Sequence, residues 1–185
     1  MDATTLTTPD GPFSILVGTG PDAAPTPHAA GGGAREAVLA AGWTADLDAL
    51  LALVHPTLRT GTGPGRLAPS PEPDGVLAEA AQAVRAYYDG DHGAPGRVPV
   101  RQASGPFRTH AWDVLREVKP GQRLTYSEYA LRAGRPAAVR AAAGACAMNA
   151  AALFVPCHRI LRTDGTLGGF RYGLPIKESL LARER

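Results

Sequence analysis

The chain has 185 residues, 44% hydrophobic and 19% charged, a length that suits one large domain or two small ones and a composition that excludes a disordered polyelectrolyte. It has no apolar run of the ~18 residues that a membrane-spanning helix needs, no secretory-signal pattern in MDATTLTTPDG, and only two cysteines, Cys146 and Cys157; these are too few for a disulfide framework or a four-cysteine zinc site, so cytoplasm is the default compartment. The net charge of +2 conceals a split: residues 1–100 hold 5 Arg against 11 Asp/Glu, while residues 101–185 hold 14 Lys/Arg against 6 Asp/Glu, so the second half either meets a polyanion or is an unevenly charged solvated surface.

In chain order, Pro12–Gly18 reads as a short strand. Asp22–Gly33, ending in GGG, reads as a flexible loop. Glu36–Trp43 suits strand or helix equally. Thr44–His55 reads as helical, with Thr44 or Asp46 as N-cap and Leu47, Leu50, Leu51 and Val54 on one face. After a Pro/Gly-rich connection at 56–75, Val76–Tyr88 forms a helix with an apolar stripe, and Gly90 suits its end. This half carries no cluster of catalytic residue types and reads as a supporting domain. His28, His55 and His92 lie in or beside loops without cysteine partners, so a structural zinc is not expected.

Residues 89–105 form a Gly/Pro-rich boundary around a strand-like Val98–Gln102. Phe107–Val118 is an amphipathic helix broken by Pro120-Gly121. Thr125-Tyr-Ser-Glu128 has the spacing of a capping box, in which the Thr side chain and the Glu three residues later satisfy each other's backbone donors. The helix it starts stops at Gly134, and Pro136 suits the first position of the next. Two short helices joined by a glycine-containing turn make a helix-turn-helix candidate. The second is nearly bare: Ala137, Ala138, Ala141, Ala142, Ala143, Gly144 and Ala145 surround one long side chain, Arg140. Such a helix suits close packing in a core or close approach to a groove.

Leu153-Phe-Val-Pro156 is an apolar run read as a buried strand ending at proline. Cys157-His158 follows, and Ile160–Gly169 reads as a hairpin turning at Asp164-Gly165. A thiol beside an imidazole suits a nucleophile, because thiolate is the reactive form and a neighbouring base raises its fraction. A buried, inert cysteine beside a hydrogen-bonded histidine is the ordinary alternative.

The longer string Pro156-Cys-His-Arg-Ile160 resembles the PCHR[VI] signature of the O6-alkylguanine-DNA alkyltransferases. GQRLTYSEYA is similar to that family's entry into its DNA-binding motif. Arg140 and Asn149 stand 17 and 8 residues before the cysteine, as they do in the family. GGFRYGLPIKESLLARE resembles its closing G-[YF]-x-x-G-L…K…LLxxE, and YYDG and GPFRTHAW resemble its domain junction. The match covers roughly residues 105–185, and the N-terminal half matches loosely.

The resemblance implies an α/β, RNase H-like N-terminal domain (1–100) and a mostly α C-terminal domain with a helix-turn-helix (101–185). It implies DNA repair by irreversible transfer of an alkyl group from O6-alkylguanine in duplex DNA, approached through the minor groove, with O4-alkylthymine left open as a substrate. No cofactor or metal is implied, no membrane, and a monomer is expected. Cys157 would accept the alkyl group, His158 would take the thiol proton through a water, and Glu184 would orient His158, although it stands where chain ends fray. Asn149 would brace the junction between the helix pair and the cysteine. Tyr126 would hold the flipped base, and Arg140 would fill its place in the duplex. Ser127, Arg135 and Thr163 stand where family members touch DNA. Tyr126, Val155, Pro156, Ile160, Phe170 and Arg171 would line the pocket, and Cys146 would be a bystander. Phe170 lacks the hydroxyl that a family tyrosine offers, and Ala152 replaces a pocket proline. No cysteine precedes Cys146, so the zinc-cysteine module of fused members is not expected. A base sensor without transfer, a helix-turn-helix regulator and a Cys–His hydrolase are the competing readings.

Overall fold

In the computed structural model, which describes residues 1–19, 35–59 and 67–185, the N-terminal half is built on an antiparallel three-stranded sheet in sequence order. Strand β1 (Asp2–Thr8) turns at Pro9-Asp10 into β2 (Gly11–Thr19), which pairs with β3 (Glu36–Gly42). The sequence reading assigned no element to β1. Its threonine-rich pattern carries little apolar contrast, and it is a strand because β2 pairs with it along its whole length. The glycine-rich loop at 22–33, with His28, lies outside the described residues.

The strand-or-helix choice at 36–43 is resolved by burial on both faces. Val38 and Ala41 join one apolar cluster while Leu39 and Ala40 join the other; strict period-2 alternation is broken by a bulge, since Leu16 pairs with Ala40 and Val17 with Val38, leaving Leu39 as the extra residue. One face is covered by α1 (Leu47–Leu51), whose N-cap Asp46 accepts from the Ala49 amide. The other is covered by α2 (Gly75–Tyr88), whose apolar stripe is buried as expected.

The outer edge of β3 is occupied by two short pieces of chain. Val38 bridges Val100, and Ala41 bridges Ala151, both in the parallel sense. Val98–Gln102 therefore contributes one bridge and not a strand, and a four-residue helix, α3 (Ala94–Arg97), precedes it. The Ala41 contacts are the more consequential. Its amide donates to Ala150 O at 2.9 Å and its carbonyl accepts from Ala152 N at 2.9 Å, tying the sheet to the segment just before Cys157.

The C-terminal half is mostly helical. Helix α4 (Pro106–Glu117) packs on α5 (Tyr126–Arg132) and α6 (Val139–Ala147): Tyr129 Oη donates to Ala111 O at 2.7 Å and Trp112 Nε1 donates to Ala145 O at 2.9 Å. The capping box forms as read, Thr125 N donating to Glu128 Oε2 at 2.7 Å and Glu128 N to Thr125 Oγ1 at 3.2 Å. Gly134 takes the left-handed conformation that ends α5. Pro136 does not open the next helix; it sits in a turn, and α6 begins at Val139.

Two further expectations are corrected. Residues 153–156 are a turn and not a strand, with Leu153 at φ +72. They are buried because they fill the space between the sheet and the helices, so apolarity there marks depth. The Asp164-Gly165 turn exists, with Gly165 N donating to Arg162 O at 2.9 Å, but it closes no hairpin. Instead β5 (Ile160–Leu161) runs parallel to β4 (Leu124–Thr125). The chain ends on α7 (Leu174–Arg183). Among the described residues no helix is long and apolar enough to cross a membrane.

Candidate functional site

Cys157 opens a single 3-10 turn, Cys157–Arg159, directed by the tight chain path after Pro156. Its thiol lies at a cavity of about 350 Å³ whose wall includes Tyr126, Ala143, Cys146, Ala147, Asn149 and Ala152 on one side, with Phe170, Arg171 and Tyr172 on the other. Asn149, buried, donates through Nδ2 to Val155 O at 2.8 Å and to Cys157 Sγ at 3.2 Å. Its Oδ1 accepts from Gln102 Nε2 at 3.0 Å and from Ala151 N at 3.1 Å. Asn149 thus locks the turn that carries the cysteine. Burial pushes the Cys157 thiol up, while the Asn149 hydrogen bond and the Lys177 ammonium pull it the other way. The resting group is a thiol, and a base must take its proton before it acts as a nucleophile.

The candidate base is the next residue in the chain. His158 is fully buried, and its Nε2 lies 2.9 Å from Glu184 Oε1. Arg159 grips the same carboxylate at both oxygens, Nε to Oε2 and Nη2 to Oε1, each at 2.8 Å, and also donates to Val118 O. Tyr87 Oη donates to Oε1 at 3.0 Å. Burial alone would raise the Glu184 carboxyl, but the hydrogen bonds from His158 and Arg159 outweigh it and hold the group ionised far below the usual range. Burial lowers His158, reinforced by the Arg159 and Lys177 charges and only partly opposed by Glu184, so the imidazole is neutral. With a carboxylate facing Nε2, the proton belongs on Nε2 and the lone pair on Nδ1. Nδ1 is buried with no hydrogen-bond partner among the described residues, leaving it open to receive a proton.

These shifts have a pH consequence. As pH falls through about 6.5 the unfolded chain protonates its histidine and the folded chain does not. Below 4.5 the same asymmetry applies to Glu184. The unfolded state then binds more protons, so stability falls with acid in both windows. Urea midpoints should decrease from pH 8 to pH 5 and again toward pH 4; a midpoint rising between pH 7 and pH 5 would contradict the neutral assignment of His158.

The sequence-predicted residues divide. Cys157, His158, Glu184 and Asn149 converge, and Glu184 is buried by its three partners rather than frayed. Tyr126, Phe170 and Arg171 line the cavity. Tyr126 is seated against Gly168, where a Cβ would come 2.6 Å from its hydroxyl oxygen. Val155, Pro156 and Ile160 do not line it. Val155 and Ile160 point into the core, and Pro156 faces a second cavity of about 200 Å³ behind the turn. Ser127, Arg135, Arg140 and Thr163 are exposed and outside the cavity lining, with Arg135 over the Phe107 ring at 5.2 Å. The bare segment has two sides: Ala142 and Ala145 are in the core, while Ala137, Arg140 and Ala141 are exposed. Cys146 was set apart from the site but lies in the cavity wall.

The sequence reading assigned no role to Tyr87, Gln102, Arg159, Lys177, Trp43 or Tyr172. Buried Lys177 donates to Ile160 O at 2.6 Å and reaches Gly168 O at 3.4 Å, pinning β5 and the strand-end loop under the cavity. Trp43 packs on Phe170 and Tyr172 with ring centroids 5.9 and 5.6 Å away, so the sheet buttresses one cavity wall. Gly42 permits this, since a Cβ there would sit 1.9 Å from the Tyr172 hydroxyl. Tyr87, Arg159, Tyr172 and Lys177 were legible as members of the quoted strings; Trp43 and Gln102 were not.

A family model described as 6-O-methylguanine DNA methyltransferase, DNA binding domain, matches residues 106–185. A methylated-DNA–protein-cysteine methyltransferase of Haemophilus influenzae is 38% identical over 110 residues, 60% of this chain and 62% of that protein. The bifunctional transcriptional activator/DNA repair enzyme Ada of Escherichia coli is 42% identical over 90 residues, 49% of this chain and 25% of that protein. The matched stretch therefore spans between a quarter and just under two thirds of the length of these curated relatives. The fold is similar to that of the Mycobacterium tuberculosis O6-methylguanine methyltransferase, at a TM-score of 0.67 and 24% identity, covering 99% of this chain and 92% of that one.

Proposed function

The chain belongs to the O6-alkylguanine-DNA alkyltransferase family, and from that premise we propose that it repairs DNA by taking the alkyl group of O6-alkylguanine irreversibly onto Cys157. The observation that carries this reading is Cys157 at the cavity, held by Asn149, with the next residue, His158, in a buried His158–Glu184–Arg159 network. The thiol proton passes to His158 Nδ1 through a water. Sulfur attacks the alkyl carbon, an S–C bond forms, and the C–O6 bond breaks with its electron pair going to the guanine. The thioether has no ready leaving group, so each molecule reacts once. A stacked guanine cannot present its alkyl carbon in line to a thiol at a cavity floor, so the base must leave the stack. Tyr126 at the cavity wall would hold it there.

In this reading residues 1–100 are the RNase H-like supporting domain and 101–185 the DNA-binding and acceptor domain. The pair α5–α6 is the helix-turn-helix, with the exposed alanines of α6 allowing approach to the minor groove. Ser127, Arg135 and Thr163 would contact phosphates, which set position without reading sequence. Incubation with duplex containing O6-methylguanine should add one methyl group per protein, on Cys157, by intact mass and peptide mapping. Tight binding to damaged duplex with no mass gain would favour the sensor instead, and repeated turnover on a small molecule would favour the hydrolase.

Arg140 is exposed on α6 and is the long side chain there that could occupy the space of the extruded base. Arg140→Ala should slow single-turnover transfer on duplex by about tenfold or more, in proportion to an unstacking cost of a few kcal/mol. Transfer from the free base O6-benzylguanine should change little. Equal rates on duplex would remove Arg140 from this role.

A further inference from the structure

We propose that Tyr87 is a positioning residue of the transfer site: a hydroxyl supplied by the N-terminal half that fixes the carboxylate on which His158 depends. The proposal rests on the alkyl-transfer reading above and extends the site across the whole chain.

Glu184 Oε1 is crowded with donors. His158 Nε2 stands 2.9 Å away, Arg159 Nη2 2.8 Å and Tyr87 Oη 3.0 Å, whereas Oε2 receives Arg159 Nε. A carboxylate oxygen has two lone pairs in its plane, so three donors share it. Each competing donor draws negative charge from Oε1 and weakens its hold on a second proton at His158. The competition therefore keeps the imidazole neutral while its ring stays aimed. The Arg159 fork holds both carboxylate oxygens. Tyr87 adds a donor to Oε1 from a different element, 97 residues distant in sequence.

Tyr87 is built for this contact. It is fully buried near the end of α2, its ring edge-on to Tyr88 at 5.5 Å and to His92 at 5.2 Å. Phenylalanine would satisfy that packing, and a buried hydroxyl without a partner is costly. The hydroxyl spends its hydrogen bond on Glu184. The adjacent Tyr88 hydroxyl donates to Asp10 at 2.8 Å and accepts from Trp43 at 3.0 Å, away from the site. The titratable and charged groups facing His158 are Glu184 and Lys177 from the C-terminal segment and Arg159 from its own turn; those facing Glu184 are His158, Arg159 and Tyr87.

The test is the pH profile of single-turnover transfer for the parent, Tyr87→Phe and Tyr88→Phe. Removing the Tyr87 donor strengthens the pull of Glu184 on the imidazole proton, so His158 protonates at higher pH. The acid limb should move up by about half to one pH unit, from the net worth of one hydrogen bond, making transfer about threefold to tenfold slower at any pH below the limb. Tyr88→Phe should leave the limb in place. A nitrogen-15 titration of the His158 ring in the same variants reads the shift without any reaction. An unmoved limb and an unmoved imidazole titration in Tyr87→Phe overturn the proposal. A parent that transfers nothing overturns the alkyl-transfer reading instead, and the imidazole titration then still decides the role of Tyr87.

Discussion

Cys157→Ser should abolish alkyl transfer while leaving the affinity for alkylated duplex within about threefold of the parent. The serine hydroxyl is far less acidic than a thiol, and neutral imidazole cannot generate enough alkoxide to attack an alkyl carbon. The geometry around the position should survive, because Asn149 Nδ2 can donate to Oγ as it does to Sγ and remains bonded to Val155 O at 2.8 Å. Cys157 is buried at the cavity and carries no exposed positive charge to meet a phosphate, so its loss should not alter the salt dependence of binding. That dependence should be steep in both proteins, since phosphate contacts release counterions. Affinity at two salt concentrations and intact mass after reaction with O6-methylguanine duplex make the comparison. Cys146→Ser should still gain one methyl group. Alkylation of the Cys157→Ser protein, or loss of transfer in folded Cys146→Ser, would place the nucleophile elsewhere.

Glu184→Ala should be damaging in two separable ways. Removal of the carboxylate strands the buried Arg159 guanidinium, the Tyr87 hydroxyl and the His158 N–H, all of which converge on it. An unpaired buried charge of this kind costs about 3–5 kcal/mol, which should appear as a large drop in urea midpoint with little change in slope. Transfer should fall by about 100-fold or more in protein that remains folded at low temperature, because the base loses its orientation and its preferred tautomer. Glu184→Gln should recover much of the stability, as an amide oxygen can still accept from Arg159. It should recover less of the rate, since a neutral oxygen stabilises the imidazolium poorly. A Glu184→Ala protein with parental midpoint would mean that water reaches Arg159 and that the network is not buried in solution.

What could be read directly from the chain was whatever depends on near neighbours. The capping box at Thr125–Glu128, the apolar stripe of 76–88 and the glycine stop at 134 are set by sterics and hydrogen bonds within one or two turns, and they form as expected. Where a local rule had competition it failed. Pro136 satisfies the rule for a first helical position yet lies in a turn, and the apolar run 153–156 is a buried turn because depth, and not strand pairing, made it apolar.

By itself the sequence picked out Cys157, His158, Glu184 and Asn149 as the candidate site, through the resemblance carried by the PCHRI string and the elements spaced around it. Only the tertiary structure decided what surrounds them. Tyr87 reaches Glu184 across 97 residues, Gln102 reaches Asn149 across 47, and β3 pairs with the segment before the cysteine. It also put Val155 and Ile160 in the core and Pro156 behind the turn, and placed Cys146 at the cavity wall. The physical reason is that a hydroxyl or amide carries no mark of its distant partner. Its buried polar atoms must be satisfied somewhere, and packing the sheet against both the turn and the helices selects which of many compatible groups does so.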